Sequence, residues 1–406
     1  MPRIFRIAAV CCGVPVCASA QSVAVLPFVN ATSAAVPQSA NLDWIGESIA
    51  ETLREALASK GVLSLDRDDI EVAFQKLRLK SHTGVTEASI LKLGETLDAE
   101  QILYGTFVFT PAPPLAGPET KGSLKISARV IDRRKLRQTP EFGEGGPLED
   151  LAKLEAHLAW RSLNLLAPRL APPETEAAAL RAPIRLDAEE SFIRGLLAAG
   201  DEREKYFKQS VSLEPRFSRP CYYLGRMYYQ RKQFREAASW LERVAAIDVH
   251  YREANFVLGI VRFEMGDYAA AQKAFQTISA AVPLSEVVNN LAAAESRRNL
   301  PQAADDFRKA LDGDPNDVDY HFNLGYILWK KGDFLVAADQ FRAVLVRDPD
   351  DQIATILLGR CLKKQGLRSG GEKGPDARFQ ALERLKTNYE ERAYWQLKSA
   401  LESKVE

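Results

Sequence analysis

Histidine is scarce in this 406-residue chain: His82, His157, His250 and His321 are all there is. No two of them share a helical or metal-ligand spacing, so neither a zinc site nor a His-based general base has a visible constellation. Net charge is absent too, with 54 basic against 54 acidic residues, so no global field draws the chain to nucleic acid or to an anionic membrane. There is no Gly-x-Ser-x-Gly elbow for a nucleophilic serine. Gly370-Gly-Glu-Lys-Gly374 lacks the hydroxyl residue and the preceding strand of a phosphate loop and reads as a plain loop. Cysteine is nearly exhausted by the first seventeen residues (Cys11, Cys12, Cys17). Cys221 and Cys361 lie several repeats apart, too far for a bond that needs Cα atoms within about 7 Å. These absences argue against an enzyme and against a resident cofactor or metal.

Long apolar runs are missing as well. The only candidate, Ile7–Val16, is too short to span a bilayer. It is preceded by Arg3 and Arg6 and followed by Ala18-Ser-Ala20, the order of a secretory signal peptide cleaved after Ala20. Residues 1–20 are therefore expected to be removed, leaving a periplasmic or secreted protein without a transmembrane span. Asn30-Ala-Thr32 is a formal glycosylation acceptor of the kind that recurs by chance.

What is present falls into stretches. Over 21–170 strand and helix signals alternate. Ser22–Leu26 is a continuous apolar run, as a strand covered on both faces requires. Ile45, Ile49, Leu53 and Leu57 share one helix face, with Gly61 to end it. Val62–Leu65 reads as a second strand, and helices are expected from about Asp68 and after Thr86. Strands follow at Ile102–Phe109 and, beyond a loop with Pro111, Pro113, Pro114 and Pro118, over 124–130. There Leu124, Ile126, Ala128 and Val130 alternate with polar residues, as in an antiparallel strand with one wet face. Leu148–Leu166 reads as an amphipathic helix, and 171–185 as a Pro-containing linker. The expected unit is an α/β domain.

From residue 186 the chain repeats itself. Leu-Gly pairs end at Gly225, Gly259, Gly325 and Gly359, with 34 residues between the first two and again between the last two. The interval from Gly259 to Gly325 is 66, two repeats with two residues missing. Ala237, Ala271, Ala303 and Ala337 keep phase, as do Leu241, Phe275, Phe307 and Phe341 four residues later. Pro283, Pro315 and Pro349 end second helices, because proline lacks the N–H and clashes with the preceding turn. This period and signature identify tetratricopeptide repeats, an all-α solenoid, at 218–251, 252–284, 285–317 and 318–351. A degenerate repeat precedes them from 186. Residues 352–406 are expected to supply a further first helix, a second helix through Phe379, Leu382 and Leu385, and a capping helix from Tyr389.

The first stretch resembles the amino-terminal domain of TolB and related envelope domains. The resemblance rests on Ser22-Val-Ala-Val-Leu-Pro-Phe28, Trp44-Ile-Gly-Glu-Ser-Ile-Ala50 and Leu93–Gly105. It implies an envelope location and interaction work, while no TolB-like propeller follows. The repeat resemblance implies a concave groove lined by each first helix. The lining positions give Arg219, Tyr222, Arg226 and Tyr229, then Phe256, Ile260 and Phe263, then Asn289, then Phe322, Tyr326 and Trp329, and finally Arg360 and Lys363. Aromatic residues and arginine are the types that dominate interface energy. The expected partner is a protein or peptide, an amphipathic helix or an extended apolar segment with acidic residues near its ends, and not a nucleic acid. The other reading puts a small ligand or an unrecognised activity in the α/β domain, near Phe28–Ser33 and Asp66–Asp69, beyond the strand ends.

Overall fold

The computed structural model describes residues 22–36, 39–80, 84–113, 121–180, 184–368, 376–389, 393–394 and 397–398. The expected signal peptide, the 370–374 loop and most of the expected last helix lie outside them.

The first region is built on a sheet. Strands β1 (Val23–Val25) and β2 (Val29–Asn30) run parallel to β3 (Gln101–Pro111), and β3 pairs antiparallel with β4 (Gly122–Asp132) over its full length. Two further antiparallel neighbours of β4 were not legible in the sequence: β5 (Arg137–Gln138) and β6 (Phe142–Pro147). The expected Val62–Leu65 strand contributes only a parallel bridge from Ser64 to Val23. The apolar residues of β4 do alternate inward: Leu124, Ile126, Ala128 and Val130 are buried while Lys125 and Arg129 are exposed.

Helices cover both sheet faces. On one, Ile70 and Phe74 of α2 (Arg67–Lys76) and Ile90 and Leu93 of α3 (Glu87–Thr96) pack on Leu26, Ile102 and Ile131. The Thr86 hydroxyl caps α3 by accepting from the Ser89 amide. On the other lie α1 (Asp43–Ser59) and α4 (Leu151–Leu166). Beyond α4, residues 174–180 form a 3-10 turn that packs back on it, and Trp160 donates its indole N–H to Pro172 O at 2.8 Å. The stretch expected as an extended linker is thus docked rather than free.

Helix pairs follow: α5 (Leu186–Leu197) with α6 (Gly200–Leu213), α7 (Arg219–Gln230) with α8 (Phe234–Leu241), and α9 (Tyr251–Glu264) with α10 (Tyr268–Ser279). Next come α11 (Ser285–Arg297) with α12 (Ala303–Gly313), α13 (Val318–Lys331) with α14 (Phe334–Arg347), and the single α15 (Gln352–Leu362). The repeat glycine works by closeness: a Cβ on Gly259 would stand 2.6 Å from the Phe275 ring of the partner helix.

Helix α1 is shared between the two regions. Its apolar face joins the sheet, and the same core continues through Phe192 and Phe207 to Val261 on α9. Its polar residues are buried but matched. Ser48 and Thr52 donate to Glu155 of α4 at 2.8 and 3.2 Å, and Ser48 also reaches Glu189 of α5 at 3.3 Å. Arg54 binds Glu47, Glu51 and the Val25 carbonyl, so each buried charge has a partner.

Candidate functional site: the concave face of the repeats

The inner helices α7, α9, α11, α13 and α15 line one concave face. Of the positions expected to form an open groove, all but Lys363 fall on these helices, and most are covered by other parts of this chain.

At the first end the cover is α1. Arg219 is buried, its guanidinium against Glu55 and within 5.4 Å of the Phe192 and Phe217 rings. It belongs to the joint between the sheet region and the repeats, not to a binding surface. Tyr222, only 1% exposed, stacks on His250 at 4.4 Å between ring centres and accepts from Arg226 at 3.1 Å. Burial pushes the Glu55 carboxyl up to about 8, against the pull of Arg219 and with the push of Glu51 and Asp248. One oxygen each of Glu51 and Glu55 and one nitrogen of His250 lie within 4.8 Å of one another. This convergence was not legible in the histidine spacing. The Arg54 and Arg219 guanidiniums already lie against those carboxyl groups, so the cluster is occupied by side chains of this chain.

At the other end the cover is residues 376–389. The sequence pattern predicted a second repeat helix here, through Phe379, Leu382 and Leu385. The chain instead makes a short 3-10 turn at Ala377–Phe379 and then runs extended along the groove. Extended chain needs partners for its backbone, and three asparagines provide them. Asn323 accepts from the Arg384 amide at 2.7 Å and donates to the Arg384 carbonyl at 2.7 Å. Asn289, one repeat earlier, donates to the same carbonyl at 3.0 Å and accepts from Asn323 at 2.8 Å. Asn290 accepts from the Lys386 amide and donates to the Lys386 carbonyl, both at 2.8 Å. The side chains thus read residues 384 and 386 as a neighbouring strand would, with a two-residue period.

The segment's side chains are matched as closely. The Arg384 guanidinium lies 3.5 Å above the Phe322 ring and donates to Asp351 at 2.6 Å. Lys386 Nζ is 2.7 Å from both Asp317 and Asp319, whose hydrogen bonds hold its pKa above the ordinary value although burial works against its charge. Glu383 has no exposed side-chain surface; Ser296 donates to it at 2.7 Å, with Arg297 at 3.3 Å and Lys330 at 3.7 Å. Tyr326 donates to the Phe379 carbonyl at 2.7 Å, and burial pushes its phenol up. Trp329, fully buried, donates to Gln365 O at 2.8 Å. Arg360, expected as a lining residue of the groove, is held by Asp376 at 2.6 Å and lies over Trp329. Phe256 meets the Tyr389 ring edge-on at 5.0 Å. Ile260 and Phe263 are buried beside them, Phe263 beneath Arg297. Lys363 stands exposed just past α15, away from these contacts.

Between the two covers lies a cleft, and Tyr394 of the tail reaches its α9 side, with Arg252 3.8 Å over its ring. The cleft, of about 1300 Å³, is lined by Arg226, Tyr229, Glu253, Glu286 and Tyr320 of the repeats and by Lys386, Tyr389, Ala393 and Leu397 of the carboxy-terminal stretch. Arg226 and Glu253 face each other across 3.7 Å in it.

Two family models described as tetratricopeptide repeat match the chain, one over 291–351 and 322–393 and the other over 228–295. Among similar solved structures is YrrB, titled a TPR protein with an unusual peptide-binding site. It is 19% identical, with 39% of this chain and 82% of that one covered and a TM-score of 0.34. MamA from Desulfovibrio magneticus RS-1 is 20% identical, with 42% and 99% covered and a TM-score of 0.38. The carboxy-terminal part of a TPR repeat-containing protein from Cytophaga hutchinsonii is 14% identical, with 51% and 86% covered and a TM-score of 0.37. No curated protein matches the chain.

Proposed function

We propose, from the premise that this chain carries tetratricopeptide repeats, that it is a non-catalytic scaffold whose concave face holds an extended peptide of a partner protein. Tetratricopeptide repeats generally mediate protein–protein interaction. The observation that carries the reading is the pairing of Asn289, Asn290 and Asn323 with both backbone groups of an extended chain. Such pairing supplies affinity without dictating sequence, and the flanking charges supply the choice. The cleft by Tyr229 and Glu253 is where a partner first lands. The sheet region fixes the first end of the array through α1.

Export to the bacterial envelope belongs to the same proposal. It is supported by Arg3, Arg6 and Ala18-Ser-Ala20, and the TolB-like resemblance of the first region agrees with it. No helix among the described residues is long and apolar enough to cross a membrane.

A photo-reactive residue at Tyr229, with exposed Glu236 on the outer helix α8 as control, tests the binding face in cells. A discrete adduct at Tyr229 alone, identified by mass spectrometry, is the expected result; equal labelling at both positions would remove the assignment. Amino-terminal sequencing of the mature protein tests export, with Gln21 expected as the first residue.

A further inference from the structure

We infer that residues 379–389 are a built-in ligand of the groove, and that the partner is an extended peptide of the same chemistry which must displace them. The inference rests on the groove reading above and adds to it the partner's pattern and its competitor. The pattern is an aromatic residue, three residues, a glutamate and an arginine, one residue, a lysine, two residues and a second aromatic.

Each element of the pattern meets its complement. The acidic position sits between Arg297 and Lys330. The basic positions face Asp351, Asp319 and Asp317. These carboxylates and cations lie on the repeats themselves, so with the segment gone the groove would present unpaired, partly buried charges, and such groups bind a complementary chain strongly. The segment also differs from ordinary packing. A repeat's second helix satisfies its own backbone, whereas here the backbone depends on side-chain amides, the arrangement of a bound peptide. Binding elsewhere in this face is continuous with it, because Tyr389 walls both the filled part and the cleft. Occupancy by the segment therefore sets how tightly any partner binds, since a site that is only fractionally open binds with an affinity reduced by that fraction.

The test uses the full chain and a fluorescent peptide with the sequence 376–389, read by anisotropy. The variant R384E/K386E places two carboxylates against Asp317, Asp319 and Asp351 and releases the segment. The peptide is expected to bind it at least about tenfold more tightly than the unaltered chain, because the intramolecular competitor is gone. Equal binding to both, with the helical circular dichroism retained, would overturn the inference. If that variant does not fold, R384A/K386A carries the same comparison with a gain of about threefold expected. Adding N289A/N323A to the released variant separates the two readings. Loss of peptide binding supports both, while undiminished binding overturns the asparagine groove itself. A released variant that gains nothing, beside a persisting Tyr229 adduct, removes the built-in ligand alone.

Discussion

Asn323→Ala is the sharpest single test of how the segment is held. The side chain is fully buried and makes three short contacts: to Asn289, to the Arg384 carbonyl and from the Arg384 amide. The carbonyl keeps a donor in Asn289, so the lasting damage is one orphaned Arg384 N–H and an unmatched Asn289 oxygen. Net hydrogen bonds are worth about 1 kcal/mol each and a buried orphan costs about 1–3 kcal/mol, so segment closure should weaken by roughly 2–4 kcal/mol. At 1.4 kcal/mol per decade that is roughly 30- to 1000-fold faster amide exchange through local opening. Hydrogen exchange with mass spectrometry on peptides covering 380–389 measures it, with peptides from α13 as internal reference. Acceleration confined to 380–389 is the expected result. Acceleration of α13 by the same factor would mean that the segment opens only when the array unfolds, and the reasoning would be refuted.

Gly46→Ala should be severe, because a Cβ there would lie 1.9 Å from the Phe28 carbonyl oxygen; a loss of at least about 2 kcal/mol in urea unfolding is expected. Trp329→Ala empties a fully buried site and leaves the Gln365 carbonyl without its donor, for a loss of about 3–5 kcal/mol in the same assay. Glu55, raised from 4.5 to about 8, keeps its proton in the folded protein where the unfolded chain releases it. Its contribution is therefore complete below about pH 4.5 and is lost as pH climbs to about 8. Glu55→Gln should flatten the decline in urea midpoint between pH 5 and 8, and an unchanged slope would show that another group titrates there.

The repeats were legible because their packing is local and periodic. A glycine on one helix and an aromatic ring sixteen residues later, as at Gly259 and Phe275, encode their own contact. The groove positions were legible for the same reason, since they fall on the face of each first helix. Their cover was not. Phe379, Leu382 and Leu385 recur at three-residue spacing, which mimics a helix face, and the tetratricopeptide match over 322–393 runs across the same stretch. What overrides that local pattern is a set of partners some 60 to 95 residues away, Asn323 and Asn289 above all, which no window along the chain can see. Arg219 went astray likewise, because the carboxylate that claims it, Glu55, is 164 residues distant. Strand β6 was hidden by Gly143, Gly145 and Gly146, which read as chain breakers. Within the sheet Gly143 is there for closeness: a Cβ would stand 1.9 Å from the Ile126 carbonyl oxygen.

The double allegiance of α1 bears on how such a chain can grow. Tandem arrays commonly lengthen by duplication of a unit, and a duplicated unit must find at each junction the surface its predecessor offered. Between α9 and α14 every junction is helix pair against helix pair, so a copy inserted there meets a familiar neighbour. Ahead of α5 it would meet Ser48, Thr52 and Glu55, which are already matched to Glu155, Glu189 and Arg219 and to no outer face of a repeat. A longer stack is thereby disfavoured ahead of α5, where the spacing between the sheet and the first groove residues is fixed by these matches; between α11 and α13 an added pair would part Asn289 from Asn323, which share the Arg384 carbonyl.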